Sequence, residues 1–162
     1  MAELLLLTST PGGPADVLPS LTLLNHRVRV LPMEPSALVE ATEADIVLLD
    51  ARTDLVGART TSRLLRATGL PVPLILVLTE GGMLVLNRDW EADDFLLESA
   101  PPAEVEARIR LAHDRTQSAI ADDQPEQLVM GELVIDASGY AARLRGRPAP
   151  ATGAWRANRP HL

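Results

Sequence analysis

The chain has 162 residues, 46% of them hydrophobic, which suits one domain, or one domain with a fragment of another. It contains no cysteine, so a disulfide framework, a zinc-thiolate site and a thiol nucleophile are excluded. A net charge of −7 disfavours nucleic-acid binding by the chain as a whole. Since neither a secretory signal nor a membrane span is recognisable, we expect a soluble, cytoplasmic protein that does not bind membranes.

Short apolar runs alternate with helix-like stretches over the first 115 residues. Five runs are predicted as strands, at residues 4–7, 27–31, 46–49, 74–78 and 95–97. The first, third and fourth are apolar throughout, which is typical of parallel strands covered on both faces. This alternation predicts a (βα)5 fold of the α/β class, with a doubly wound parallel five-stranded sheet and right-handed crossovers.

Apolar residues recur at helical spacing between the predicted strands. These residues are Val17, Leu18, Leu21 and Leu24 in the first connection, Leu38 and Val39 in the second, Leu64 and Leu65 in the third, and Val105, Ile109 and Ala112 after the fifth strand. The weakest helical signal lies at 83–89, between the fourth and fifth strands, and we expect that segment to be short or irregular.

Polar residues stand where the buried strands end. Thr8 and Ser9 follow the first strand, Asp50 ends the third and Thr79 follows the fourth. In a doubly wound sheet, ligands bind outside the carboxyl ends of the strands, near the point where the strand order reverses. We therefore expect the functional residues at this edge. The segment 11–14, Pro-Gly-Gly-Pro, is too short and proline-bound to be a phosphate-binding loop, which disfavours a flavodoxin-like cofactor protein.

Several stretches resemble response regulators. Residues 45–50, DIVLLD, are similar to the third strand of receiver domains, which ends in the phospho-acceptor aspartate. Residues 91–97 and 104–110 resemble the segment around the fifth strand and fifth helix of OmpR/PhoB-type regulators. Residues 130–136 and 143–148 resemble the opening antiparallel strands of the winged-helix domain that follows in that family. Within the family, the details are most similar to the orphan nitrogen regulators of actinobacteria, the GlnR type.

The resemblance implies a receiver domain of the flavodoxin-like, CheY-like fold over residues 1–115. A linker is expected at 116–127, followed at 128–162 by a truncated start of the winged-helix domain with a disordered, arginine-containing tail. Since the recognition helix of a winged helix lies in the DNA major groove, only a complete domain would read DNA. The predicted function is regulation of transcription in nitrogen metabolism, without enzymatic activity or a cofactor.

Most residues that receivers use for phosphorylation are replaced. The acidic pair that holds Mg²⁺ after the first strand is replaced by the neutral Thr8 and Ser9. Glu98 stands where receivers carry a lysine after the fifth strand, and the chain contains no lysine at all. Only Asp50 and Thr79 match the family's five polar positions, so we expect no metal site.

Three interpretations of Asp50 follow from these replacements: a relic, the phospho-acceptor of a phosphorelay, or an ionised group held in a network. The third is favoured here. Arg52 leaves the strand on the same side and could pair with the carboxylate, while the hydroxyls of Thr8, Ser9 and Thr79 could donate hydrogen bonds. Such a network would hold permanently the geometry that phosphorylation induces in other receivers.

The resemblance also implies a homodimer formed through the fourth helix, fifth strand and fifth helix. Charged residues match that face, namely Arg88, Asp93, Asp94, Glu104, Arg108 and Arg110. The alternative is a solvated surface, on which an isolated ion pair contributes about 0–1 kcal/mol. Because a two-fold axis would double each pair, we favour a homodimer that forms without phosphorylation.

Overall fold

The computed structural model describes residues 1–122 completely and, beyond them, the strands at 127–130, 133–136, 141–144 and 147–148 by their backbone. The chain divides into two compact units, Met1–Gln117 and Ser118–Leu162. None of the helices that the structure describes has the length and hydrophobicity that crossing a lipid bilayer requires.

The first unit is built on a parallel sheet. Its strands in chain order are β1 (Glu3–Leu7), β2 (Arg27–Leu31), β3 (Ile46–Asp50), β4 (Leu74–Leu78) and β5 (Asp94–Leu97). They are arranged in the order β2-β1-β3-β4-β5, and each neighbouring pair is parallel. The predicted doubly wound sheet is confirmed, with every strand within one residue of its predicted ends.

Both faces of the sheet are covered. Because successive strand residues point to opposite faces, β1 sends Leu4 and Leu6 into one core and Leu5 and Leu7 into the other. The first core also holds residues of the first and last connections, and the second core holds Trp90. All residues of β3 and β4 are buried, which explains why their sequences are apolar up to Asp50.

The connections contain three α-helices and four 3₁₀ helices. The α-helices are α1 (Pro14–Val17), α2 (Leu55–Ala67) and α3 (Pro102–Asp122); the 3₁₀ helices are Pro19–Leu23, Pro35–Glu43, Gly81–Val85 and Arg88–Trp90. The expectation of α-helices in the first two connections is therefore largely wrong. Leu18, Leu21 and Leu24 recur every third residue, which matches the three residues per turn of a 3₁₀ helix.

The connection between β4 and β5 is irregular, as the weak pattern at 83–89 predicts. It consists of two short 3₁₀ helices, and glycine at positions 81 and 82 disfavours a longer helix. Trp90 closes the segment: its ring is 3% exposed, and its indole N–H donates to the carbonyl oxygen of Val85 at 3.0 Å.

Helix α3 corresponds to the fifth receiver helix and is longer than expected. It continues to Asp122, so the first part of the segment predicted as a linker, 116–127, is helical. No glycine or proline interrupts the chain between Pro102 and Pro125, and the hydroxyl of Thr116 donates within the helix to Ala112.

The second unit contains an antiparallel sheet, as expected. Its strands are β6 (Gln127–Met130), β7 (Leu133–Asp136), β8 (Ala141–Leu144) and β9 (Arg147–Pro148), paired in chain order. Residues 128–130 and 133–136 thus lie in two paired strands, β6 and β7. The predicted disorder of residues 149–162 falls outside the described residues.

Candidate functional site: a buried aspartate paired with arginine

Asp50 lies at the switch point of the sheet. From β1 the chain moves to β2 on one side, and from β2 it returns to β3 on the other, so the connections diverge above β1 and β3. Asp50 is the last residue of β3 and is 1% exposed. Thr8 follows β1 and is also buried, which places a hydroxyl beside the carboxylate.

The Asp50 carboxylate accepts five hydrogen bonds. Oδ1 accepts from the backbone N–H of Arg52 at 3.1 Å and from its Nε at 2.9 Å. Oδ2 accepts from the hydroxyl of Thr8 at 2.7 Å, the hydroxyl of Thr10 at 3.3 Å and Nη2 of Arg52 at 3.3 Å. The guanidinium therefore binds both carboxylate oxygens, the geometry in which arginine pairs most strongly with a carboxylate.

Arg52 connects the loops that follow three different strands. Besides Asp50, its Nη1 donates to the carbonyl oxygen of Asp16 at 2.8 Å and to Oε2 of Glu98 at 3.2 Å. The Arg52 side chain is 12% exposed, whereas the Glu98 side chain is 43% exposed. The charge of one guanidinium is thus shared between a buried carboxylate and a carboxylate at the surface. We refer to Thr8, Thr10, Asp50, Arg52 and Glu98 as the Asp50 network.

These contacts keep Asp50 ionised. Burial by itself would raise the pKa of Asp50, but hydrogen bonds from Arg52 and Thr8 and the positive charge of Arg52 outweigh it, so the pKa lies below its ordinary value. The hydrogen bond to Asp50 likewise raises the pKa of Arg52, although burial opposes this. The pair therefore stays charged at neutral pH, with its donors and acceptors satisfied.

The structure brings Arg52 and Thr8 to Asp50, but not Ser9 or Thr79, so the expected contacts of these last two residues are corrected. A bend follows β1, in which the backbone N–H of Thr10 donates to the Thr8 hydroxyl at 3.0 Å, and Ser9 between them is exposed. The Thr79 hydroxyl accepts instead from the backbone N–H of Gly82 at 3.2 Å, in the turn that follows β4.

Sequence reasoning missed Thr10 and Glu98 as members of the Asp50 network. For Thr10 the available signal is its hydroxyl in the segment Thr-Ser-Thr at residues 8–10, which follows the first strand. For Glu98 the available signal is its negative charge. It replaces the expected lysine, and an arginine near Asp50 can pair with a second carboxylate.

The carboxylates of the expected dimer face are engaged within the chain. Asp94 Oδ1 accepts from Nη1 of Arg108 at 2.8 Å, and Arg108 also donates to Glu104 at 3.1 Å. The same guanidinium lies 5.5 Å from the ring centroid of Phe95. The Arg108 side chain thereby contacts both β5 and the first turn of α3. Its planar group is ordered before any partner arrives.

The other three residues of that face differ in their surroundings. Asp93 accepts from the backbone N–H of Leu74 at 2.7 Å and pairs with Arg66, so its carboxylate stabilises β4 and α2 of its own chain. Arg88 is exposed. Arg110 is exposed and lies 3.7 Å from Glu106.

Receiver chemistry implies Mg²⁺, and the residues present do not fit it. Mg²⁺ requires several hard oxygen ligands, but Thr8 and Ser9 are neutral, and both Asp50 oxygens accept hydrogen bonds from Arg52. Over the part of the chain that the structure describes, no group of three or more His, Cys, Asp or Glu side chains is placed to hold a metal ion.

Comparison with known families decides the identity of the first unit. Residues 2–113 match the family described as transcription regulator GlnR, N-terminal domain. The chain belongs to this GlnR family. Its resemblance to response regulators is confirmed.

Curated relatives of this GlnR-family chain include DNA-binding response regulators named MtrA. The protein from Mycolicibacterium smegmatis is 29% identical over 103 residues, which cover 63% of this chain and 43% of the relative. The protein from Mycobacterium tuberculosis H37Rv is 30% identical over 104 residues, covering 63% and 43%. The chain therefore spans less than half the length of these relatives.

Solved structures support the receiver fold. The receiver domain of the sensor histidine kinase PA1611 from Pseudomonas aeruginosa PAO1, which has a magnesium ion in its active-site cleft, matches with a TM-score of 0.53 at 22% identity. That match covers 70% of this chain and 98% of the other. The receiver domain of the response regulator TorR matches with a TM-score of 0.52 at 21% identity, covering 72% and 99%.

Proposed function

We propose that the first unit of this GlnR-family chain forms homodimers without phosphorylation, with Asp50 as a structural anion, and that the protein regulates transcription in nitrogen metabolism. The observation that carries the proposal is the contact of Arg52 with both oxygens of Asp50. Family membership supports the role in transcription.

The contacts of Arg52 with Asp50 disfavour phosphorylation of the carboxylate. Phosphoryl transfer requires a free carboxylate oxygen as nucleophile and a cation that neutralises the phosphate. Here the guanidinium donates to both oxygens of Asp50, and its positive charge lies directly beside the carboxylate. The carboxyl ends of β1, β3 and β5 are tied together by Asp16, Asp50 and Glu98 through this one side chain.

The proposed dimer face consists of β5, α3 and the 3₁₀ helix Arg88–Trp90. Arg108 is ordered by Asp94 and Glu104, so it loses little side-chain entropy on meeting a partner. Arg88 and Arg110 are exposed on the same elements. Asp93 is held by its own chain and contributes less to the contact than the sequence indicates. DNA would be bound only through a complete winged-helix domain, of which strands β6 to β9 are proposed to be the opening part.

The experiment is sedimentation equilibrium of the chain, its Asp50→Asn variant and its Arg108→Ala variant, without any phosphoryl donor. The proposal predicts a dimer for the unaltered chain at micromolar concentration and weaker association for both variants. A monomeric unaltered chain would overturn it. The alternative, a phosphorelay receiver, is favoured by the strand-end position of Asp50 alone, and it predicts saturable Mg²⁺ binding.

A further inference from the structure

Glu98 extends the Asp50 network toward the dimer face. We propose that Glu98 is the positioning residue that couples Asp50 to this face, through Arg52 and the loop between β5 and α3. The inference rests on the proposed function, since it concerns the same dimer. In this proposal the connection between Asp50 and the dimer face runs through the residue after β5, and not through Thr79 after β4.

Glu98 is anchored at both its backbone and its side chain. Its backbone N–H donates to the carbonyl oxygen of Leu78 at 2.9 Å, which ties it to the end of β4. Its Oε2 accepts from Nη1 of Arg52 at 3.2 Å, on the side of the guanidinium that does not bind Asp50. A change in the position of Arg52 therefore pulls directly on the residue that follows β5.

The loop that follows is short and held at several points. Ala100 N–H donates to Leu97, and the carbonyl oxygen of Ala100 accepts from the buried Ser20 hydroxyl at 2.5 Å. The carbonyl oxygen of Pro101 accepts from the first turn of α3. Because these hydrogen bonds restrain the loop, we expect a displacement of Glu98 to shift the first turn of α3 as well.

The two elements that this loop joins, β5 and α3, each contribute a carboxylate to the same dimer-face residue. Glu104 in the first turn of α3 and Asp94 at the start of β5 both bind Arg108. The path from Asp50 is then Arg52, Glu98, the loop, Glu104 and Arg108, with a hydrogen bond or a short covalent segment at each step.

Thr79 offers no comparable path. Its hydroxyl accepts from Gly82 at 3.2 Å, and it makes no hydrogen bond to Asp50 among the described residues. Its side chain serves the turn after β4, so a substitution there should act on that turn and not on the Asp50 network.

The test compares Glu98→Gln with two controls at the same edge of the sheet. Glu80→Gln makes the same charge change at an exposed residue without an ion pair in the described part of the chain, and Thr79→Val removes the hydroxyl. Sedimentation equilibrium gives the dimer dissociation constant, and hydrogen exchange reports the first turn of α3. We expect Glu98→Gln to weaken the dimer about fivefold and to speed exchange at residues 103–108, with both controls unchanged.

A second comparison separates coupling from a merely local effect. In an Arg52→Gln background, Glu98→Gln should weaken the dimer no further, because its partner is already absent. Equal dimer constants and exchange for Glu98→Gln and Glu80→Gln would overturn the inference, as would weakening by Thr79→Val alone. If Asp50→Asn weakens the dimer and Glu98→Gln does not, only this inference fails. If Asp50→Asn also leaves the dimer unchanged, the proposed function fails.

Discussion

Replacing Asp50 by asparagine removes the buried charge and keeps the shape of the side chain. The amide nitrogen cannot occupy the Oδ1 position, because the two groups there, the backbone N–H and Nε of Arg52, are both donors. At the Oδ2 position it meets Nη2 of Arg52 and the hydroxyls of Thr8 and Thr10, of which only the hydroxyls can turn to accept. The variant therefore leaves a guanidinium that is 12% exposed without its main counter-charge.

The cost follows from the contacts that remain. Removing one partner of a buried ion pair costs about 3–5 kcal/mol. Arg52 retains the carbonyl oxygen of Asp16 and the Glu98 carboxylate, so we expect Asp50→Asn to lower the free energy of unfolding by about 2–3 kcal/mol at pH 7. Urea unfolding measures this. Asp89→Asn, in an exposed pair with Arg59, is the matched control and should cost about 0–1 kcal/mol.

The pH dependence gives a second check on the same variant. Because folding lowers the pKa of Asp50, the unfolded chain binds more protons than the folded chain at acid pH. The stabilisation is present above the ordinary pKa of 3.8 and is lost as the pH falls through the lower pKa of the folded state. The unfolding free energies of the unaltered chain and Asp50→Asn should therefore converge on acidification. Equal stabilities at pH 7, or a difference that persists unchanged to about pH 2, would refute the reasoning.

Three further predictions concern the dimer face, the cation and the irregular connection. Arg108→Ala should weaken the dimer about tenfold by sedimentation, because it removes an ordered guanidinium, whereas the exposed Arg115→Ala should not; equal effects would contradict this. Mg²⁺ up to about 10 mM should leave the melting temperature unchanged; a saturable increase would contradict the claim that Arg52 keeps Mg²⁺ from the Asp50 carboxylate. Trp90→Phe should cost about 1 kcal/mol in urea, through the bond to Val85; no loss would be inconsistent with it.

The sheet could be predicted from the sequence because its central strands are buried on both faces. Residues 46–49 and 74–78 are apolar without interruption, which leaves little choice of element type. The first two helical connections were harder. Leu18, Leu21 and Leu24 satisfy both an α-helical and a 3₁₀ repeat, and the spacing alone does not separate the two.

In the Asp50 network, contacts set by the strand ends could be predicted, as for Thr8 and Arg52, whereas a contact that depends on a longer loop could not. Arg52 is two residues from Asp50, so its direction could be argued from the strand. Glu98 reaches the same arginine from 46 residues away, and that contact depends on how the loop after β5 is held. The resemblance favours a hydrogen bond from Thr79 to Asp50. A hydroxyl beside a turn, however, readily accepts from a nearby backbone N–H, as Thr79 does here from Gly82.

The central claim is that the dimer forms because Arg52 already holds Asp50. Its most direct test is sedimentation equilibrium of the unaltered chain in chelator, repeated with Mg²⁺ and beryllofluoride, which mimics a phosphoryl group on aspartate. We expect the same dimer dissociation constant under both conditions. A chain that is monomeric in chelator and dimerises only with Mg²⁺ and beryllofluoride would contradict it.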